Sequence, residues 1–194
     1  SLLERLEDIP NEQDQQVFLK SLTTIKNQAN YLSDFSDSYR RIIQIPAPKK
    51  ENLVWGEVMD EIMDAHKTQL QGIDFQVLGK VWQDVVKADK IQLIQVLTNL
   101  LVNALSALGE VEQPVIHVEI ERGKLEYLVR FSDNGIGIPS EERSTIFIPF
   151  VSNREKGSGI GLAVCKKILQ NHGGRIWLDS NRNRTTFIFS LPAV

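Results

Sequence analysis

From Phe18 onward apolar side chains recur at Phe18, Leu22, Ile25, Ala29, Leu32, Tyr39 and Ile43 in alternating steps of four and three, with Ser36 the polar interruption. This heptad seam predicts a long coiled-coil helix over residues 11–43, roughly 50 Å long at ~1.5 Å per residue. A helix of that reach outruns a small domain, so its seam predicts a partner helix; the alternative is a helix lying along its own domain. Residues 1–6 read as the end of a preceding helix, and 7–11, with Pro10, as the turn of a hairpin. Pro46 and Pro48 stop the helix, because proline lacks the amide hydrogen and disfavours a helical residue before it. The pattern then predicts strands over 52–55 and 74–78 and helices over 57–69 and 88–108. Paired strands over 115–122 and 125–132 around Gly123, a helix over 160–171, and strands over 175–178 and 185–191 complete the chain.

This divides the chain into a partial helical hairpin over 1–45, a linker over 46–51 and a globular domain over 52–194. The 42% hydrophobic content suits a globular class, and 22 basic residues nearly balance 25 acidic ones. Without a basic field, nucleic acid and anionic membrane are excluded as expected partners. The lone Cys165 allows no internal disulfide and no thiolate cluster, which fits a reducing compartment. No apolar run of spanning length occurs, so a cytoplasmic location is expected, with any membrane anchor of a parent protein lying in regions outside the chain.

On the helix predicted over 88–108, Ile94, Leu97, Leu101, Ala104, Leu105 and Leu108 form one apolar stripe and place Asn99 and Asn103 on the opposite side. Four residues apart, these two amide oxygens can ligate a hard cation or orient its waters; a solvated polar face would use the same residues. After the strand ending near Phe131 come Asp133, Asn134, Gly135, Ile136, Gly137, Ile138 and Pro139. Alternate glycines let backbone approach a ligand, and Asp133 offers an acceptor for an exocyclic amine, although such residues also make ordinary turns. A second loop, Gly157, Ser158, Gly159, Ile160, Gly161 and Leu162, runs into a helix whose free amides suit phosphate oxygens. It is not a P-loop, since no Gly-Lys-Ser/Thr follows, and no βαβ unit with a downstream acidic residue surrounds it.

Taken in order, Asn99–Ala104, Asp133–Pro139, Ile146–Phe150 and Gly157–Leu162 resemble the four signature boxes of histidine-kinase ATP-binding domains, over roughly 52–194. The resemblance implies an α/β (α+β) two-layer sandwich: a mixed, mostly antiparallel sheet packed on three helices, here preceded by the coiled-coil helix. It also implies ATP as ligand, Asp133 on the adenine amine, Gly135, Gly137 and Ile138 beside it, and Mg2+ held by Asn103 with Asn99. Residues 151–156 would be the lid, anchored by Phe147 and Phe150, with Gly157, Ser158, Gly159, Gly161 and Leu162 closing on the triphosphate. Arg154 stands near where many relatives carry Thr-Thr-Lys; it would offer a forked cation to the γ-phosphate, or simply face solvent. Residues 35–41 with Pro46-Ala47-Pro48 look like the second dimerisation helix and linker of kinases related to nitrogen-regulation sensors.

The same resemblance implies a homodimer through the hairpin and a response-regulator receiver domain as partner. In the gyrase and chaperone branches of this fold a glutamate one turn before the magnesium asparagine activates water; Asn99 stands there and cannot act as a base. Kinase chemistry is therefore expected, and the alternatives are an ATPase of that type or a non-catalytic ATP-sensing dimerisation module. None of the three histidines suits a phosphoacceptor: His66 lacks the family's His-Glu pair, His117 sits in a strand, and His172 precedes Gly173-Gly174 at a helix end, where capping is expected. The acceptor is expected upstream of Ser1, and the chain alone is expected not to autophosphorylate.

Overall fold

The computed structural model describes residues 11–80, 82–109, 111–151, 159–181 and 184–193. They cluster into two compact units, Ser1–Arg41 and Ile42–Val194. Helix α1 spans Glu12–Ile43, all but its last two residues in the first unit. Two of its seam residues, Ile25 and Leu32, are 64% and 63% exposed. The preceding helix end expected at 1–6, and the turn up to Pro10, lie outside the described residues.

In the second unit, β1 (Glu51–Val54) and β3 (Val85–Ala88) form an antiparallel pair, and a five-stranded sheet has the order β2-β4-β5-β7-β6. Its strands are β2 (Asp74–Leu78), β4 (Val115–Arg122), β5 (Glu126–Asp133), β6 (Arg175–Asn181) and β7 (Arg184–Pro192). Only β2 with β4 is parallel; the other pairings in this sheet are antiparallel. Strict alternation explains the strands: Ile116, Val118 and Ile120 on β4 and Tyr127, Val129 and Phe131 on β5 point to one buried face. The other face carries charge, with Arg130 paired to Glu121 at 2.6 Å and to Glu119 at 3.6 Å.

Three helices cover the buried face: α2 (Trp55–Ala65), α3 (Lys90–Ala107) and α4 (Gly161–His172). Trp55, Met59 and Ile62 of α2, Leu93, Leu97, Leu100 and Leu101 of α3, and Cys165, Ile168 and Leu169 of α4 share one core with Phe131 and Phe189. The result is the two-layer α/β sandwich, mixed and mostly antiparallel, that the resemblance implied.

Three local readings are corrected. Trp55 begins α2 rather than ending a strand: its N–H and that of Gly56 donate to the carbonyls of Asp84 and Trp82 at 3.1 and 2.9 Å, so a distant turn caps the helix. The helix ends at Ala65 instead of 69, and turns follow. Ala88 closes β3, a strand the pattern missed, because its pairing partner Glu51 lies far back in the chain; the following residue, Asp89, caps α3 by accepting from Gln92 N–H at 3.1 Å.

Candidate functional site

The apolar face of α3 is wider than the expected stripe and rotated from it. Leu93, Val96, Leu97, Leu100, Leu101, Ala104 and Ala107 are buried, while Ile94 and Leu105 are only partly so. Asn99 and Asn103 consequently stand half-buried on the shoulder of the packed face, not opposite it. The cause is α4, which packs beside α3: Asn99 Nδ2 donates to the Gly161 carbonyl at 3.3 Å. Next to it Cys165 Sγ lies 3.7 Å from the Val96 carbonyl, and burial pushes that thiol up to about 12, leaving a packing residue and no nucleophile.

Asp133 ends β5 on the core-facing side of the strand. It is 3% exposed, and its Oδ1 accepts the Gly135 N–H at 2.9 Å. Directly opposite it in the β5–β7 register stands Thr185, also 3% exposed, whose Oγ1 has no partner among the described residues. A buried orphan hydroxyl beside a buried carboxylate is costly unless a ligand or water completes it. Sequence reasoning missed Thr185; the available signal was a hydroxyl at an inward position of a strand continued by Phe187, Phe189 and Leu191.

The loop after Asp133 is fixed from several sides. Asn134 Oδ1 accepts from Val115 N–H and its Nδ2 donates to the Gln113 carbonyl, both at 2.8 Å. Gly135 is required by packing: a Cβ there would lie 2.6 Å from the Ala107 carbonyl oxygen, next to the bond from Ile136 N–H to that same carbonyl at 3.0 Å. Gly137 is required by conformation, with φ 79°. Ile138 is half-buried and its carbonyl accepts from Arg143 Nε at 3.1 Å.

Phe147 packs edge-on against Phe187 at 6.4 Å between ring centres, with the Lys166 ammonium 6.0 Å from its own. Phe150 has φ 68° and donates its N–H to the Gly159 carbonyl at 3.0 Å. Gly161 opens α4, whose N-cap residue, Ile160, supplies no side-chain cap; a helix N-terminus of this kind favours an anion, and Leu162 follows half-buried. The structure thus brings Asn99 to Gly161, Asp133 to Thr185, and Phe150 to Gly159. Arg154, Gly157 and Ser158, with the rest of 152–158, lie outside the described residues.

The donor set fits a nucleotide carrying a hard cation: one buried carboxylate acceptor, two amide side chains, and a helix N-terminus whose N-cap residue, Ile160, supplies no side-chain cap. Residues 88–194 match the family model described as histidine kinase-, DNA gyrase B- and HSP90-like ATPase.

The chain belongs to this ATPase family.

Among its relatives is the phytochrome-like protein Cph1 of Synechocystis sp., 37% identical over 143 residues, which cover 70% of this chain and 19% of that protein. Nitrogen regulation protein NtrY of Azorhizobium caulinodans is 29% identical over 173 residues, 86% of this chain and 22% of NtrY. The chain spans about a fifth of the length of the curated relatives it matches. Among solved structures, the catalytic domain of histidine kinase ThkA superposes with TM-score 0.69 at 30% identity, covering 75% of this chain and 96% of that domain. ThkA in complex with response regulator protein TrrA aligns over 100% of this chain and 56% of that chain at 22% identity and TM-score 0.65, a likeness of fold. This member of the ATPase family therefore carries the histidine-kinase type of ATP-binding domain. No helix among the described residues is long and apolar enough to cross a membrane.

Proposed function

We propose that the chain is the catalytic region of a two-component sensor histidine kinase, which transfers the γ-phosphoryl group of Mg-ATP to a histidine on a helical hairpin for relay to a response-regulator aspartate. The observation that carries this reading is the buried pair Asp133 and Thr185, set opposite each other in the β5–β7 register, with the Thr185 hydroxyl lacking a partner among the described residues. Asp133 accepts the adenine amine, Thr185 completes the same polar corner, and Gly135 and Gly137 let the base approach backbone. Ile138 packs on the base, and Phe147 and Phe150 anchor the chain on either side of Pro149. Gly157, Ser158, Gly159, Gly161 and Leu162 take the phosphates.

Asn103, with Asn99, would hold the magnesium ion, which supplies charge neutralisation on the phosphoryl oxygens. Asn99 cannot abstract a proton from water, so its position favours transfer to a nucleophile brought from elsewhere over hydrolysis. Arg154 is assigned the γ-phosphate. His172 is an unsuitable acceptor, being buried with both ring nitrogens bonded. We assign residues 1–45 to the dimerisation hairpin, 46–51 to the linker and 52–194 to catalysis; the exposed seam residues of α1 support a second copy as partner.

The test mixes this chain with a separately supplied histidine-bearing hairpin and γ-labelled ATP. Acid-labile label on the hairpin is expected, and none on the chain alone. Steady phosphate release with no phosphohistidine would replace the kinase with an ATPase, and nucleotide binding without either product would leave a sensing module.

A further inference from the structure

Between α1 and β1 the chain runs without regular structure over residues 45–50. Polar groups hold this segment to the ends of two helices. Gln92 Nε2 on α3 donates to the Pro46 carbonyl at 3.0 Å, and Lys49 N–H donates to Asp89 Oδ2 at 2.8 Å. Lys50 Nζ donates to the carbonyl of His172, the last residue of α4, at 3.0 Å. The two helix ends are also joined to each other, because Asp89 N–H donates to His172 Nε2 at 3.0 Å. His172 Nδ1 lies 2.8 Å from the Ile168 carbonyl, an acceptor only, so Nδ1 carries the proton and Nε2 presents its lone pair to Asp89. The His-Gly-Gly run serves the same joint: Gly173 has φ 85°, and a Cβ on Gly174 would overlap the Ser190 carbonyl.

At the start of α4 a second brace exists, from Asn99 Nδ2, midway along α3, to the Gly161 carbonyl. Both ends of α4 are therefore tied to α3, and Asn99, Asn103, Gly161 and Leu162, assigned above to magnesium and phosphate, sit on this braced pair. Gln92 shows that stability alone does not explain the joint. It is 5% exposed, its Oε1 has no partner among the described residues, and an apolar residue of that size would avoid the desolvation of an unmet acceptor.

Resting on the nucleotide reading of the site, we propose that Gln92 and His172 are positioning residues that bolt the segment 46–50 onto α3 and α4, so that a displacement of this segment is passed to Asn99, Asn103 and Gly161. The helices are stiff and the two braces fix their relative pose. Movement at Pro46 or Lys49 must then either break the bonds or tilt the pair. Coupling of this kind is reciprocal, so a nucleotide on the braced pair must also steady the segment.

The test uses the whole chain in four forms: native, Gln92→Leu, His172→Asn and His172→Gln. Glutamine at 172 reaches the Nε2 position with an oxygen that accepts from Asp89 N–H, whereas asparagine reaches only the Nδ1 position. Amide exchange at Lys49 and over 45–50 is followed with and without Mg2+ and a non-hydrolysable ATP analogue, and affinity is measured by calorimetry. Nucleotide is expected to slow exchange at Lys49 in the native and His172→Gln chains. In Gln92→Leu and His172→Asn that protection disappears and affinity falls about three- to tenfold, while Gln92→Leu keeps or raises the thermal midpoint. A native chain that binds nucleotide with no change over 45–50, or variants that keep native affinity and protection, would overturn the proposal. If the native chain takes no nucleotide, the reading of the site fails separately. The joint is then judged by nucleotide-free exchange at Lys49, which must quicken in Gln92→Leu and His172→Asn and stay native in His172→Gln, or it too is overturned.

Discussion

Phe150 and Gly159 clasp each other: the Phe150 N–H donates to the Gly159 carbonyl at 3.0 Å, and both residues adopt left-handed backbone, φ 68° and 64°. Such a conformation costs a non-glycine residue about 1–2 kcal/mol, and here Phe150 is held to it by packing on the core and by this bond. A Cβ on Gly159 would come within 3.0 Å of the Phe150 carbonyl carbon and 3.1 Å of its Cα. Gly159→Ala is therefore expected to lower the thermal midpoint by roughly 3–6 °C and to weaken Mg-nucleotide binding about tenfold. A variant with native affinity in a titration would show that the clasp has no part in the site.

On the proposed assignment Asp133→Asn would set a donor amide against the adenine amine, and it is expected to weaken nucleotide binding by about 1–3 kcal/mol, or some five- to 150-fold. Thr185→Val is the sharper experiment. Because Oγ1 has no partner among the described residues, replacing it with a methyl should leave the ligand-free thermal midpoint unchanged or raised. Affinity for ATP should nevertheless fall. Calorimetry and thermal shift on the same samples check both halves, and a fall in stability without loss of affinity would remove Thr185 from the site.

Asn103→Ala removes an amide oxygen assigned to the cation. Its expected effect is confined to the metal-dependent part of binding: roughly a tenfold loss with Mg2+ and little change in EDTA. Equal losses under the two conditions would mean that Asn103 acts on the nucleotide or on packing instead.

Gly135→Ala tests the close approach of the Asp133 loop to the end of α3. With the new Cβ 2.6 Å from both the Ala107 side chain and its carbonyl oxygen, the loop must retreat and the Ile136 bond must lengthen. Overpacking of this order costs about 1–3 kcal/mol, so the midpoint should fall by roughly 3–10 °C. An unshifted melting curve would contradict the geometry.

Burial holds the His172 imidazole below its ordinary range with help from the Lys50 ammonium, against the opposing pull of the Ile168 carbonyl and Asp89. The neutral ring belongs to the native state, while the unfolded chain binds a proton near pH 6.5. The stability tied to the neutral ring is thus complete above that value and is lost as pH falls from there through the lower folded value. Denaturant titrations between pH 8 and pH 5 should show this loss, and His172→Gln should flatten it. Asp89 acts further down. Partial burial pushes its carboxyl up, but the N–H groups of Gln92 and Lys49 prevail and hold it below the ordinary value of 3.8, so its share is lost only in stronger acid.

Much of this molecule could be read without coordinates. Alternation with a period of two placed the strands that became β4 and β5 to within a residue or two, and the heptad seam placed α1, because both signals are carried by neighbours along one element. Order and spacing of the four boxes led to the ATPase family before any contact was known. What local pattern could not carry was pairing between distant segments. Val85–Ala88 becomes a strand only because Glu51–Val54 lies beside it. Thr185 matters only because the β5–β7 register sets it opposite Asp133. The side of α3 on which Asn99 stands was misjudged for the same reason: helical periodicity tells which residues are apolar together, but the neighbour that covers them, here α4, decides which are buried. His172, Asp89, Gln92 and the segment 46–50 are spread from one end of the domain to the other, and their joint exists only once α3 and α4 pack side by side. Element type and family were determined by composition and spacing along the chain, whereas register, burial and the polar joint were decided by tertiary packing, because each depends on the identity of a partner that sequence distance hides.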